Sequence, residues 1–155
     1  MKALKTIPAS AELIIFDFCD TLEYTLDVKS EWRPGALELL AKLSDRTKVI
    51  SSDASRGMIT SFLKEYETLF AAIYDESHTY RRDGKHYKNL GKICKEFHVK
   101  PANAVMIGDS DKDMRSANKY SIPFISVPDK FKDQNYNLLQ LLDRKSTRLN
   151  SSHRL

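Results

Sequence analysis

The first 130 residues contain five short apolar runs, in which hydrophobic residues follow one another without alternating with polar ones. In chain order the runs are Leu13-Ile14-Ile15-Phe16, Lys48-Val49-Ile50, Phe70-Ala71-Ala72-Ile73-Tyr74, Ala104-Val105-Met106-Ile107 and Ile122 to Val127. Continuous apolar runs of this length are typical of strands that are covered on both faces, as in parallel sheets. The pattern therefore predicts five buried strands.

Segments with helical spacing of apolar residues lie between these runs. Pro34 to Leu43 carries leucines three and four residues apart, and Ser55 to Tyr66 repeats that spacing with larger apolar side chains. We expect two further helices at about 86–97 and 111–119. Because strands and helices alternate, the sequence predicts an α/β fold, a three-layer sandwich around a Rossmann-like, parallel five-stranded sheet.

The length of 155 residues suits one domain, which we expect to span residues 1–144. The remaining stretch, 145–155, lacks apolar periodicity and carries Lys145, Arg148 and Arg154 without any acidic residue. We predict that it is a non-native or disordered tail. Since this tail holds much of the formal net charge of +4, the domain itself is nearly neutral. The balance argues against nucleic acid as a partner without eliminating it.

Cysteine usage and hydropathy indicate the compartment. The two cysteines, Cys19 and Cys94, cannot build a disulfide framework and lack metal-site spacing, which favours a reducing environment. The apolar run that ends at Phe16 is far shorter than the roughly 20 residues of a membrane helix. We therefore predict a cytoplasmic protein that does not use a membrane.

Chemically suggestive residues follow four of the predicted strands. They are Asp17 after the first, Ser51-Ser52-Asp53 after the second, Asp75 after the third and Gly108-Asp109-Ser110 after the fourth. In parallel sheets ligands bind at the carboxyl ends of the strands, so these residues mark one candidate site. A carboxylate there can attack phosphorus and form an aspartyl-phosphate, which makes Asp17 the candidate nucleophile.

Groups that would support such a reaction lie at suitable spacings. Asp109 and Asp113 can join Asp17 in the oxygen ligation that Mg²⁺ prefers, so we expect Mg²⁺ as the cofactor. A hydroxyl at the start of a helix can hold a phosphoryl oxygen, and either Ser51 or Ser52 can supply it. These residue types together favour phosphate chemistry.

The segment LIIFDFCDTL, residues 13–22, resembles the first motif of the haloacid dehalogenase (HAD)-like hydrolase superfamily, Asp-x-Asp-x-Thr after an apolar strand. Asp17 and Thr21 occupy matching positions, whereas Cys19 stands where the second Asp belongs. The segment AVMIGDSDKDMRSA is similar to the Gly-Asp-x-x-x-Asp element of the same family. The resemblance spans about residues 13–127.

The resemblance implies a phosphatase that hydrolyses a phosphate monoester through an aspartyl-phosphate on Asp17. It also implies that the Cys19 backbone carbonyl joins Asp17, Asp109 and Asp113 around Mg²⁺. The Cys19 side chain would occupy the position of the catalytic acid and base, a group that contributes about 10²–10⁴-fold to a rate. A thiol there keeps an alternative open, a catalytically slow HAD-like module that binds a phosphorylated ligand or partner.

The resemblance also implies a cation that faces the phosphoryl group, either Lys85 or Lys88. Lys85 lies nearer the common spacing, whereas GKHYKNL resembles an element of a capless branch of the family and favours Lys88. Register likewise favours Ser52 over Ser51. With these choices phosphate binding is assigned to Thr21, Ser52, Asp53 and Lys88, and the catalytic set is Asp17, Cys19, Ser52 and Lys88.

Neither position at which this family inserts a cap domain has room for one in this sequence. Glu23 to Arg33 separates the first motif from the Pro34 helix, and one helix, one strand and a short loop occupy residues 54–84. An open site admits a phosphorylated small molecule or a bulky phospho-substrate. Its choice would fall to a flap, Tyr24–Arg33, and to Tyr80-Arg81-Arg82. The sequence does not indicate an oligomeric state.

Overall fold

The computed structural model describes residues 4–26, 28–133 and 135–142, so the predicted tail and the domain boundary at residue 144 lie outside the described residues. The described strands are β1 (Leu13–Phe16), β2 (Glu23–Leu26), β3 (Lys29–Trp32), β4 (Thr47–Ser51), β5 (Ala72–Tyr74), β6 (Thr79–Arg82), β7 (Lys85–Lys88), β8 (Ala104–Gly108) and β9 (Phe124–Ser126). The described α-helices are α1 (Ala36–Lys42), α2 (Arg56–Leu63), α3 (Leu90–Glu96) and α4 (Asp111–Lys119).

Five strands form the central sheet, in the order β5-β4-β1-β8-β9, and each neighbouring pair is parallel. Each of the five strands overlaps one of the five apolar runs of the sequence. The predicted α/β fold with a parallel five-stranded sheet is therefore confirmed. The first strand of the chain is therefore the central strand of the sheet. Polar residues after β1, β4 and β8 reach the same edge.

Both faces of this sheet are covered, which explains why the strands do not alternate. Ile14 and Phe16 of β1 belong to one buried cluster, which also contains residues of α1 and α2. Leu13 and Ile15 belong to a second cluster, shared with α3 and α4. Because successive side chains of a strand point to opposite faces, these clusters are the two interfaces of a three-layer sandwich.

The second predicted helix begins as expected and ends early. The Ser55 hydroxyl caps α2 by accepting a hydrogen bond from the Met58 amide at 3.2 Å. The helix ends at Leu63 rather than at Tyr66, because the Lys64 backbone enters the left-handed region with a φ of 50°. A 3₁₀ helix over Lys64–Leu69 follows.

Two β-hairpins, β2–β3 and β6–β7, occupy the two places where this family inserts a cap. Within the described residues these short hairpins stand where a cap domain would be. The helix expected at about 86–97 is wrong in its first turn: residues 85–88 form strand β7, and α3 begins at Leu90. Asp83 and Gly84 both have positive φ angles, 53° and 76°, the conformation of a tight hairpin turn. None of the described helices is long and apolar enough to cross a membrane.

Candidate active site

Three carboxylates meet at the carboxyl edge of the sheet. Asp17 follows β1, Asp109 follows β8, and Asp113 lies in the first turn of α4. One oxygen of each lies within 4.8 Å of the others. Asp113 is fully buried and Asp17 nearly so. The residues that the sequence proposes as ligands of Mg²⁺ are therefore brought together.

The local structure explains how Asp113 is held in place. Ser110 and Asp113 form a reciprocal cap at the start of α4: the Ser110 hydroxyl accepts from the Asp113 amide at 3.3 Å, and Asp113 Oδ2 accepts from the Ser110 amide at 3.4 Å. The Ser110 hydroxyl also donates to Asp113 Oδ2 at 2.9 Å. Gly108 supplies the space beside it, because a Cβ atom at position 108 would lie only 2.4 Å from Asp113 Oδ2. The glycine of this motif thus makes room for a side chain.

The charge of this cluster suits a divalent cation. Burial raises the pKa of Asp109 to about 8, and its hydrogen bond and charge interaction with Asp17 act in the same direction. Burial and the Asp17 charge also raise the pKa of Asp113, although Lys88 opposes this shift. Crowded carboxylates with oxygen donors are the ligand set that Mg²⁺ prefers, so Asp17, Asp109 and Asp113 could hold that ion.

Lys88 is the cation that faces these carboxylates. Its Nζ lies 2.8 Å from Asp17 Oδ1 and 2.5 Å from Asp113 Oδ1, and its side chain is 1% exposed. Burial opposes the charged form, but the two carboxylates outweigh it and raise the pKa of Lys88. Lys85, the other candidate, is exposed at the far end of β7. The structure therefore brings Lys88, and not Lys85, to Asp17.

Thr21 and Cys19 lie in the loop that follows β1. The Thr21 hydroxyl donates to Asp17 Oδ2 at 3.3 Å, with Asp109 Oδ1 3.4 Å away. The Cys19 side chain reaches solvent, yet partial burial, followed by the charges of Glu23 and Asp17, raises the pKa of its thiol to about 11. Cys19 is therefore a neutral thiol at neutral pH.

Ser51 and Ser52 are both buried, Ser51 as the last residue of β4 and Ser52 directly after it. The Ser52 hydroxyl accepts a hydrogen bond from the Ala54 amide at 3.0 Å, as expected for a residue that opens the loop before α2. The Asp53 carboxylate forms an ion pair with Lys112 through Oδ2, and its Oδ1 lies 3.4 Å from His86 Nε2. Within the described residues no hydrogen bond joins either serine to Asp17, so Ser52 stays a prediction.

Two buried charged residues near the site were not predicted. Arg33 is 1% exposed and donates to the backbone oxygens of Asp20, at 3.0 Å, and Pro128, at 2.5 Å. Glu23 accepts hydrogen bonds from the hydroxyls of Thr25, at 2.6 Å, and Ser30. Arg33 precedes a proline and a glycine and Glu23 begins a hairpin strand, so nothing in the local sequence indicates their burial.

A cavity of about 600 Å³ opens between the β2–β3 hairpin and α2. Its walls include Phe18, Trp32, Met58 and Phe62. Phe18 follows Asp17 directly and meets the Phe62 ring edge to face, with 5.4 Å between the centroids. The cavity is therefore lined in part by the residue next to Asp17 in the chain, and it does not include the carboxylate cluster or Lys88 among its lining residues.

Comparison with solved structures finds the same fold in several proteins. A HAD-superfamily hydrolase of subfamily IA from Geobacter sulfurreducens has 12% identity and a TM-score of 0.64, and the match covers 82% of this chain and 97% of that one. A predicted phosphoglycolate phosphatase from Haemophilus somnus has 12% identity and a TM-score of 0.67, with 93% and 99% covered. CbbY from Rhodobacter sphaeroides, in complex with phosphate, has 14% identity and a TM-score of 0.65, with 76% and 86% covered.

At these identities the structural matches establish the fold alone, and no curated protein sequence matches the chain. The family model described as haloacid dehalogenase-like hydrolase matches residues 16–127, which include the carboxylate cluster and Lys88. That match covers well over half of the chain. The protein, with its parallel sheet and its carboxylates at the carboxyl edge, belongs to the haloacid dehalogenase-like hydrolase family.

Proposed function

We propose that this hydrolase is a Mg²⁺-dependent phosphatase, which hydrolyses a phosphate monoester through an aspartyl-phosphate on Asp17. The observation that carries the proposal is the position of Asp17: its carboxylate contacts Lys88 on one oxygen and Thr21 on the other. One carboxylate oxygen each of Asp109 and Asp113 lies within 4.8 Å of an oxygen of Asp17. A fixed nucleophile beside a cation and a metal-binding set suits phosphoryl transfer.

The proposed reaction consists of two displacements at phosphorus. A carboxylate oxygen of Asp17 forms a bond to phosphorus while the bond from phosphorus to the ester oxygen breaks. Water then attacks the same phosphorus, which releases phosphate and restores the carboxylate. Lys88 supports both steps, because its buried ammonium offsets negative charge in a region of low dielectric. Ser52 is proposed to hold a phosphoryl oxygen.

Asp17, Asp109 and Asp113 are the residues that would hold Mg²⁺, together with the backbone carbonyl of Cys19. The ion, when bound, supplies positive charge opposite the phosphoryl oxygens. Asp113 is held by Lys88 and Ser110, so its carboxylate is already oriented.

A second function is favoured by one observation, the thiol at position 19. With a pKa of about 11, Cys19 is a weak proton donor and is not ionised to act as a base at neutral pH. A protein with this residue could bind a phosphorylated ligand or partner and turn it over slowly. The distinguishing quantity is the rate of turnover.

The proposal is tested by hydrolysis of an aryl phosphate with Mg²⁺ and with a chelator, for the wild type, Asp17→Asn and Asp111→Asn. Asp111 lies in the same helix turn as Asp113 but is exposed and outside the carboxylate cluster, so its variant is the matched control. We expect Mg²⁺-dependent turnover in the wild type and in Asp111→Asn, and loss of turnover in Asp17→Asn. Full activity of Asp17→Asn would contradict the mechanism, and ligand binding without turnover would favour the slow module.

A further inference from the structure

The β6–β7 hairpin presents two faces with different neighbours. Its register places Lys88 opposite Thr79 and His86 opposite Arg81, whereas Tyr87 lies opposite Tyr80. Directly opposed side chains share a face of a hairpin, and successive side chains alternate between its faces. Lys88, His86 and Arg81 therefore lie on one face.

This face is the one that meets the candidate active site. Lys88 reaches Asp17 from it. His86 Nε2 lies 3.4 Å from Asp53 Oδ1, and Asp53 directly follows Ser52. Both contacts place the face over the carboxyl edge of the central sheet. Arg81, as the cross-strand neighbour of His86, belongs to the same side.

The opposite face packs on α4. Tyr80 and Tyr87 stack there with 5.5 Å between their ring centroids, and the Tyr80 hydroxyl lies 2.6 Å from the Tyr120 hydroxyl. Arg115 lies over the Tyr87 ring at 5.4 Å. Arg82 is two residues from Tyr80 and shares this face. Neighbouring arginines thus point to opposite sides of the hairpin.

The Arg81 guanidinium forms no ion pair with the acidic side chains of the described residues, so it can bind an anionic ligand. The Asp53 carboxylate forms an ion pair with Lys112 through Oδ2, and its Oδ1 lies 3.4 Å from His86 Nε2 without a hydrogen bond between them. Arg81 is exposed and takes part in none of the ion pairs found among the described residues. Along a strand two residues span about 7 Å, so Arg81 lies one such step beyond Lys88, toward the hairpin turn. A guanidinium in that position can bind a carboxylate or phosphate with two parallel hydrogen bonds.

We propose that Arg81 determines specificity by binding a second anionic group of the substrate. The preferred substrates are then phosphate monoesters that carry a carboxylate or a further phosphate several bonds from the ester. The proposal rests on the proposed phosphatase function. In it, the face of the hairpin over the site supplies two cations, Lys88 for the phosphoryl group and Arg81 for the distal anion.

The test uses ω-carboxyalkyl phosphates with one to four methylene groups, each compared with its carboxamide. The wild type should show a ratio of kcat/KM, carboxylate over carboxamide, of about tenfold at one preferred length, as expected for a charged two-point contact that is partly screened by solvent. Arg81→Gln should lower this ratio to below about twofold. Arg82→Gln removes the same charge from the other face and should keep the wild-type ratio, and Arg81→Lys should restore part of it.

Equal ratios in Arg81→Gln and Arg82→Gln, or a wild type that prefers neither the carboxylate nor the second phosphate over an uncharged group, would overturn the proposal. The corresponding carboxyalkyl phosphonates, titrated calorimetrically with the same variants, measure the same ratio as affinity and need no turnover. Absence of turnover with a retained Arg81-dependent affinity ratio would contradict the phosphatase function alone. Alkanediol bisphosphates of matching length distinguish a preference for a second phosphate from one for a carboxylate.

Discussion

By resemblance to the first family motif, we propose that Cys19 stands where a carboxylic acid would protonate the leaving group. With a thiol pKa raised to about 11, it is a weak proton donor. An aryl phosphate leaves as a stable phenolate and needs little protonation, whereas an alkyl phosphate must expel a basic alkoxide. We therefore predict that Cys19→Asp accelerates alkyl phosphate hydrolysis by up to about 10²-fold and aryl phosphate hydrolysis far less. Single-turnover and steady-state rates on both ester classes measure the effect. Equal changes on the two classes would place the proton donor elsewhere.

Lys88 balances two carboxylates inside the protein. Its removal leaves Asp17 and Asp113 buried without their cation, so we expect Lys88→Met to lower the free energy of unfolding by about 3–5 kcal/mol. Lys85→Met, at an exposed position of the same strand, should change it by less than about 0.5 kcal/mol. Urea unfolding curves of the two variants provide the comparison. If Lys88→Met lowered the free energy of unfolding as little as Lys85→Met does, the buried ion pairs would contribute little to stability.

At the level of secondary-structure elements, the close approach of β8 and α4 depends on Gly108. A methyl group there would overlap the Asp113 carboxylate, so Gly108→Ala should cost about 1–3 kcal/mol of stability and raise the Mg²⁺ concentration needed for half-maximal activity. Gly57→Ala is the matched control, because a Cβ atom at position 57 in α2 meets nothing within 4 Å. That variant should be neutral or more stable by up to about 1 kcal/mol. Urea unfolding and Mg²⁺ titration measure both quantities.

The elements of the central sheet could be predicted because burial on both faces marks each strand by itself. The β6–β7 hairpin could not be recognised from hydrophobicity, since its residues TYRRDGKHYK include no aliphatic side chain. The Asp83-Gly84 pair was the available signal, because this dipeptide favours the hairpin turn that the structure contains. A hairpin turn at this dipeptide favours a strand directly after it, where the helical spacing alone predicts the first turn of a helix.

In the candidate site, too, residues marked by the local sequence could be predicted, whereas a residue buried by contacts distant in the chain could not. Asp17, Asp109 and Asp113 could be selected from the sequence, because Asp17 and Asp109 follow recognisable strand ends and Asp113 lies in the first turn of the helix after Asp109. The burial of Arg33 could not, because one of its hydrogen-bond acceptors, Pro128, is 95 residues away in the chain. A side chain buried by partners so distant in sequence carries no local signature.

For the whole molecule, the carboxylate cluster links stability to pH and to Mg²⁺. The pKa of Asp109 is raised to about 8 in the folded protein, so its stabilising protonation is complete below the ordinary aspartate pKa and is lost as pH rises through about 8. The Tm of the metal-free protein should therefore fall as the pH rises from about 4, the ordinary aspartate pKa, to about 8, and level off above it. Mg²⁺ binds the deprotonated form, so the Tm increase that it produces should grow over the same range.

Thermal unfolding in EDTA and in Mg²⁺, across that pH range, checks this linkage. Asp109→Asn removes the titrating group and should flatten the pH dependence in EDTA. Asp111→Asn, an exposed control, should keep the wild-type slope. An unchanged slope in Asp109→Asn would assign the pH dependence to other groups.

The central place of β1 has a consequence for synthesis on the ribosome. Residues 13–16 emerge before the other strands of the central sheet, but one of their two neighbours, β8, ends only at Gly108. Until then the nascent chain holds Leu-Ile-Ile-Phe with an open hydrogen-bonding edge, and such a segment is prone to pair with other chains. Translation of the stretch between β4 and β8 is therefore the period in which the protein depends most on fast elongation or on a chaperone.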